Sequence, residues 1–215
     1  MASKLGIFNK ALTQHLGERK LASLTENREP RRVLDDIWDE GLVNACLEAG
    51  QWKFAKRTLK LTYNPDVTPA FGHKYAFDKP TDFIRFAGVY SDEFCQMPLL
   101  HYQEEKGQWF ASLQDIYVEY ISNGATYGND LSNWPESFAD YVAGSAALRA
   151  TGRIQGNATD KDTLKKDVEK LLVSSLSKDA MAGPTKFLPE GGWAASRRGN
   201  TGSFRDGGNR SRLIG

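Results

Sequence analysis

The stretch Lys56-Arg57-Thr58-Leu59-Lys60-Leu61-Thr62-Tyr63 is where the chain changes its period. Leu59, Leu61 and Tyr63 alternate with polar neighbours, the two-residue repeat of a half-buried strand. Before it the repeat is helical. Leu5, Phe8, Leu12 and Leu16 fall on one face, and Gly17 supplies a stop. A second helix begins near Pro30, with Glu29 just before it. Leu34, Ile37, Trp38, Leu42 and Ala45 form its apolar stripe, and Gly50 closes it.

After Tyr63, Asn64-Pro65-Asp66 turns the chain. Strand-like runs follow at Leu99 to Tyr102, Gln108 to Ala111 and Ile116 to Ile121, the first two separated by Glu105-Lys106-Gly107. Together they predict a small β-meander. Helices resume at Pro135. Glu136 to Ile154 carries Phe138, Tyr141, Val142 and Leu148 among Ala139, Ala143, Gly144, Ala146 and Ala147. Small residues at that density admit a close neighbour; Gly144 costs about 1 kcal/mol of helix propensity against Ala, which close packing offsets. Asn157 and Thr159 suit the next N-terminus, Leu164, Val168, Leu171, Leu172 and Leu176 mark a buried side, and Gly183-Pro184 ends that helix. The expectation is an α+β fold, mainly α: helical segments at 1–54 and 134–182, a β-rich insertion at 55–133, and an extended basic arm at 183–215.

Composition narrows the function classes. The 215 residues are 40% hydrophobic, 26% charged and 11% aromatic, which is globular and excludes wholesale disorder. A net charge of +1 speaks against a uniformly basic nucleic-acid binder. Two cysteines, Cys46 and Cys95, cannot supply a disulfide framework. The opening 16 residues hold a lone Lys4 and a short apolar patch, too brief for a secretory core, so export by the usual signal route is not expected. No run reaches the roughly 20 apolar residues of a membrane span.

A search for chemistry finds little. His15, His73, His101, Cys46 and Cys95 show no zinc-ligand spacing, and neither metal nor cofactor is expected. There is no phosphate loop, dinucleotide fingerprint or nucleophile elbow. The glycines from Gly199 to Gly208 surround Arg and Phe and precede no helix. Glu104 and Glu105 sit near a hairpin tip, and Asp35, Asp36, Asp39 and Glu40 line a helix; solvated surface charge explains both sets. Asn157-Ala158-Thr159 and Asn209-Arg210-Ser211 fit the glycosylation pattern but need an export route to matter. No catalytic residue is expected.

The last 33 residues carry six Lys and Arg against two acids and eight of the 20 glycines, which leaves a mildly acidic body. They lack periodic apolar positions, so the expectation is a flexible arm. Trp193, Phe204, Leu213 and Ile214 are isolated anchors between Arg197, Arg198, Arg205, Arg210 and Arg212. Arginine and aromatic side chains suit single-stranded nucleic acid, while arginine forks also meet carboxylates on a protein partner. The apolar end favours the protein partner. Fully extended, the arm would reach about 110 Å.

Several segments resemble the head–tail adaptor family of tailed bacteriophages, including the tail tubular proteins of short-tailed phages. Phe8-Asn9-Lys10-Ala11-Leu12, Leu16-Gly17-Glu18 and Leu21-Ala22-Ser23-Leu24 are similar to that family's first helix and following turn. Gly50-Gln51-Trp52-Lys53-Phe54-Ala55-Lys56-Arg57 resembles its entry into the first strand. Tyr75, Pro80, Asp82, Phe83, Ile84 and Arg85 resemble a further family segment, with Lys79 as a departure. Trp134-Pro135-Glu136-Ser137-Phe138 is similar to the entry of the third helix. Asp179-Ala180-Met181 and Gly192-Trp193 to Arg197 are similar to the end of the last helix and the start of the tail. The resemblance spans roughly residues 5 to 198.

The resemblance implies a four-helix bundle with an inserted small β-domain. It also implies a non-enzymatic virion protein, made in the bacterial host cytoplasm, that forms a ring of typically twelve copies under the portal. Double-stranded DNA would pass through the lumen without specific binding, and a tail or nozzle protein would sit on the distal face. Docking on the portal falls to the arm. Two rivals stay open: a virion-associated peptidoglycan hydrolase, and a nucleic-acid-binding protein acting through the Arg/Gly tail.

Overall fold

A computed structural model describes residues 2–70, 72–154 and 158–183. The arm residues Trp193, Arg197, Arg198, Phe204, Arg205, Arg210, Arg212, Leu213 and Ile214, together with Asn157 and Pro184, lie outside the described residues. Among the described residues the fold is α+β, with four helices and two small antiparallel sheets.

The first helix comprises α1 (Lys4–Lys10) and a wider π-turn over Ala11–His15. Ser3 caps it, its Oγ accepting from the Gly6 N–H at 3.1 Å. At the other end Gly17 takes φ +65°, and the Glu18 N–H donates to the Leu12 carbonyl at 2.8 Å. A left-handed glycine of this kind satisfies last-turn carbonyls without a Cβ penalty. The loop that follows is tied back by Asn9. Its Oδ1 accepts from the Leu21 N–H at 2.7 Å and its Nδ2 donates to the Leu21 carbonyl at 3.2 Å.

The second helix starts at α2 (Glu29–Ile37), with Glu29 and Pro30 in its first turn. It continues through a π-turn over Trp38–Leu42 into α3 (Val43–Glu48). Gly41 sits inside that turn at φ +93°, so the helix is kinked there. The kink moves the buried seam. An unbroken 3.6 repeat places Ala45 in the core, but Ala45 is half-buried, and Val43, Cys46 and Leu47 take the core positions.

Six strands follow: β1 (Lys56–Thr62), β2 (Tyr75–Asp78), β3 (Phe83–Tyr90), β4 (Gln103–Glu105), β5 (Gln108–Ala111) and β6 (Asp115–Ser122). They do not form a meander. One sheet has the order β1-β6-β3 and the other β2-β5-β4, all antiparallel. The first strand pairs with the last, Lys56 opposite Ile121 and Thr62 opposite Asp115. The insertion therefore returns to its own entrance. Lys106 (φ +50°) and Gly107 (φ +79°) make the β4–β5 turn, both left-handed as a two-residue hairpin demands. The strand expected at 99–102 is absent: those residues lie in the loop, the strand that follows is β4, and β2 and β3 come as additions. The two sheets enclose Phe77, Trp109 and Ala111 from one side and Val89, Ile116, Val118 and Tyr120 from the other.

Helix α4 (Glu136–Ile154) keeps the bounds its period predicts, and it packs against α1, α2, α3 and α5 (Ala158–Met181). Its small residues do face a neighbour. A Cβ on Gly144 would sit 3.1 Å from Leu171 Cδ1 and 3.2 Å from Val168 Cγ2 of α5. The two tryptophan motifs meet on one ring: Phe138 lies 4.8 Å from Trp52 and 4.9 Å from Trp134, both edge-on. Ile121 at the end of β6 joins this helical core, where the sheet meets the helices. Among the described residues no helix is long and apolar enough to cross a membrane.

Candidate functional site

Of the carboxylates that a hydrolase would draw on, Glu104, Asp35 and Asp36 are paired with cations. Glu104, on β4, is paired with Lys79, and its Oε2 accepts from Trp109 Nε1 at 3.2 Å. The Lys79 ammonium also lies over the rings of Phe83, 4.7 Å from the centroid, and Trp109, 5.3 Å. The bond from Lys79 holds the Glu104 carboxyl below the usual glutamate range against a smaller opposing effect of burial. A general acid requires the reverse, a carboxyl kept protonated. Asp35 is bound by Lys4 at 2.9 Å and by Arg31, while Asp36 lies 3.8 Å from Arg153. Glu40 and Glu105 are exposed.

The imidazoles and thiols stay apart. Among the described residues no group of three or more His, Cys, Asp or Glu side chains could hold a metal. His15 is half-buried beside Gly144, its pKa lowered by that burial, and His101 is exposed. The Cys46 thiol is 2% exposed and pushed up by burial to about 11. Cys95 stands at φ +53° in the β3–β4 loop.

A cleft of about 330 Å³ opens at the Gly41 kink. Trp38, Trp134, Val43 and Leu131 give it apolar walls, and Asp39, Asn44 and Asn129 supply polar groups. One carboxylate and two amides furnish no acid–base pair.

The conspicuous surface is the loop over residues 91–102. Phe94 is 70% exposed, Met97 66% and Leu100 80%. This exposure is held by a frame. The Asp92 carboxylate accepts from the Met97 N–H at 2.7 Å and the Gln96 N–H at 3.1 Å. Ser91 N–H donates to the Met97 carbonyl at 3.0 Å, and Leu99 N–H to the Val89 carbonyl at 2.8 Å. Burial raises the Asp92 pKa, and the donated backbone bonds outweigh it, so the carboxyl sits below the usual range and stays charged. Glu93 is exposed beside it. The sequence pattern does not mark this surface: Pro98 interrupts the three-residue spacing of Phe94, Met97 and Leu100, and the leucines at 99 and 100 read as a strand.

The segments on which the adaptor expectation rests hold structural clamps. Asp82 accepts from Arg57 Nη1 at 2.8 Å, Tyr120 Oη at 3.0 Å and Ser122 Oγ. Arg85 Nη1 donates to the Glu48 carbonyl at 2.7 Å, fixing β3 to the end of α3. Trp134 Nε1 donates to the Gly128 carbonyl at 2.8 Å, and Trp52 Nε1 to the Cys46 carbonyl at 3.0 Å. No family model and no curated protein matches the chain.

Proposed function

We propose that this chain is a structural head-to-tail adaptor of a tailed-phage virion. In this reading its helices form a four-helix bundle carrying a small β-domain, and copies stand side by side as a ring of twelve under the portal. The ring extends the DNA channel and gives the tail or nozzle protein its platform. The arm, through Trp193, Arg197, Arg198, Phe204, Arg205, Arg210, Arg212, Leu213 and Ile214, docks on the portal, where many weak contacts add through multivalency. DNA crosses the lumen unbound, because a mildly acidic body offers phosphate little to hold.

The observation that carries the reading is the way the resembling segments join. Asn9 holds Leu21, Trp52 and Trp134 share Phe138, and Arg85 holds the end of α3. Residues scattered over more than a hundred positions thus form clamps that make one frame, as a shared fold requires. The engagement of Glu104 by Lys79 speaks against the hydrolase alternative.

Electron microscopy of the protein mixed with its candidate portal tests the reading. A ring stacked on the portal is expected. Deleting residues 199–215 should abolish portal binding with the body still folded; full retention of binding rejects the docking role of the arm. Activity on peptidoglycan that is lost in Glu104→Gln or Glu105→Gln would reject the adaptor reading itself.

A further inference from the structure

One reactive pair of residues has no part in the proposed function. Asn123-Gly124 is the single Asn-Gly step in the sequence. It lies at the exit of β6, and both residues are half-buried. Such a pair carries its own nucleophile and its own electrophile. The backbone nitrogen of the glycine can attack the side-chain amide carbon of the asparagine, and a residue without Cβ leaves that nitrogen unshielded. The bond from Gly124 N to Asn123 Cγ forms as the Cγ–Nδ2 bond breaks. The amide proton departs with the leaving group as ammonia, and a five-membered succinimide remains. Water then opens either carbonyl of the ring, giving aspartate from one and isoaspartate from the other.

The turn around the pair holds this reaction back. Gly124 N–H donates to Ser122 Oγ at 2.9 Å, and that hydroxyl donates in turn to the Asp82 carboxylate. The Asn123 side chain is tied to α3, its Nδ2 donating to Asn44 Oδ1 at 3.3 Å. Its backbone is fixed on both sides: the N–H donates to the Asp82 carbonyl at 3.0 Å, and the carbonyl accepts from Asn129 Nδ2 at 2.6 Å. The Gly124 carbonyl accepts from the Tyr127 N–H at 3.0 Å and the Asn129 N–H at 3.2 Å. A Cβ at position 124 would stand 3.1 Å from Ser122 Oγ and 3.3 Å from Asp82 Oδ2, so the packing of the turn itself calls for glycine. The attacking nitrogen is thus bound to a hydroxyl, and the amide it would attack is bound to a neighbouring helix.

We propose that Asn123 is a self-modification site whose deamidation is gated by Ser122. While the Ser122 hydroxyl holds the Gly124 N–H the step is closed; when the turn opens, the imide forms. The product puts an acceptor where the Asn44 amide oxygen needs a donor, and it adds a negative charge beside Asp82. The isoaspartate form also inserts a carbon into the backbone between the bonds that fix residue 123. Either product loosens the junction of β6 with α3. The released ammonia does not return, so the change accumulates with the time the turn spends open. The chemistry is independent of the adaptor reading: a ring on the portal neither requires nor excludes it.

The test incubates the full chain in mildly alkaline buffer and reads deamidation at residue 123 by mass spectrometry of the peptide that contains it. Wild type should react slowly when native and fast in urea. Ser122→Ala should speed the native reaction by about fivefold to tenfold, the worth of one neutral hydrogen bond. That variant also takes a donor from Asp82, so Tyr120→Phe serves as the control. It removes another bond to Asp82 but leaves Ser122 Oγ on the Gly124 N–H, and it should react at close to the wild-type rate. Hydrogen exchange of the Gly124 amide, read by NMR on wild type, carries the test should Ser122→Ala fail to fold. That amide should exchange more slowly in the native protein than in the unfolded chain. The proposal is overturned if native wild type deamidates as fast as in urea, or if Asn123 is unreactive even in urea. Equal rates for Ser122→Ala and Tyr120→Phe, or a freely exchanging Gly124 amide, overturn it as well.

Discussion

Asp82→Ala should remove the keystone of the β insertion. Tyr120 and Ser122 are fully buried (0% exposed), and both hydroxyls donate to the Asp82 carboxylate. Without it two buried donors lose their acceptor, each at about 1–3 kcal/mol. Arg57 contributes less, because its side chain is 33% exposed, and pairs of that kind are worth at most about 1 kcal/mol. Asp82 itself is 16% exposed, so water can enter and recover part of the loss. The expected cost is about 3 kcal/mol. For a body of this size that lowers Tm by roughly 6–12 °C. Burial alone raises the Asp82 pKa, but the bonds from Ser122, Arg57 and Tyr120 together outweigh it, and the carboxyl titrates below the ordinary aspartate range. Its stabilisation is therefore complete above the unfolded-state pKa of about 3.9 and is lost as pH falls through the lower folded value. The gap between wild type and Asp82→Ala should be flat near neutrality and close only in strong acid. Urea melts of Asp82→Ala, Tyr120→Phe, Ser122→Ala and the triple variant measure the coupling. In the triple variant no orphaned hydroxyl remains, so it should lose clearly less than the sum of the three single changes. A cost below about 1 kcal/mol for Asp82→Ala, or strict additivity in the triple, would refute the keystone argument.

Gly128→Ala should destabilise by about 1–3 kcal/mol. The added Cβ would stand 2.4 Å from the Ser122 carbonyl oxygen and 2.6 Å from Leu47 Cδ1, and thermal unfolding reads the result directly. Thiol labelling of the native protein should modify Cys95 first. Cys46, buried and titrating only at about 11, should react no faster than the body unfolds; equal rates for the two would show that the α3–α4 contact opens locally.

The helices were legible because each has a stop or start that the local chain dictates. Pro135 fixes the beginning of α4, and Gly17, at φ +65°, ends its helix without reference to anything distant. The strands were legible only where alternation survives, as in β1, β5 and β6. Strand β3 hides because its register shifts between Phe83 and Arg85 and again between Phe86 and Gly88, which breaks the two-residue repeat. Strand β2 has four residues, too few to show a period. Pairing order was out of reach for a different reason. Lys56 lies opposite Ile121, sixty-five positions away, and no local pattern encodes so long a closure. The Gly41 kink likewise adds a rotation that an ideal helix repeat cannot anticipate.

The exposed loop illustrates a harder limit. Residue type says that Phe94, Met97 and Leu100 gain by leaving water, but not against what. In the sequence the leucines at 99 and 100 look like the start of a strand. In the structure Asp92 uses both carboxylate oxygens to hold the backbone of Gln96 and Met97, and Leu99 is bonded to Val89. Folding the apolar side chains back onto the sheet would break these bonds and leave their N–H groups unpaired. Collapse within one chain is thus opposed by the same contacts that present the patch. The exposure of Phe94, Met97 and Leu100 is therefore a consequence of the frame and not of a loosely packed turn.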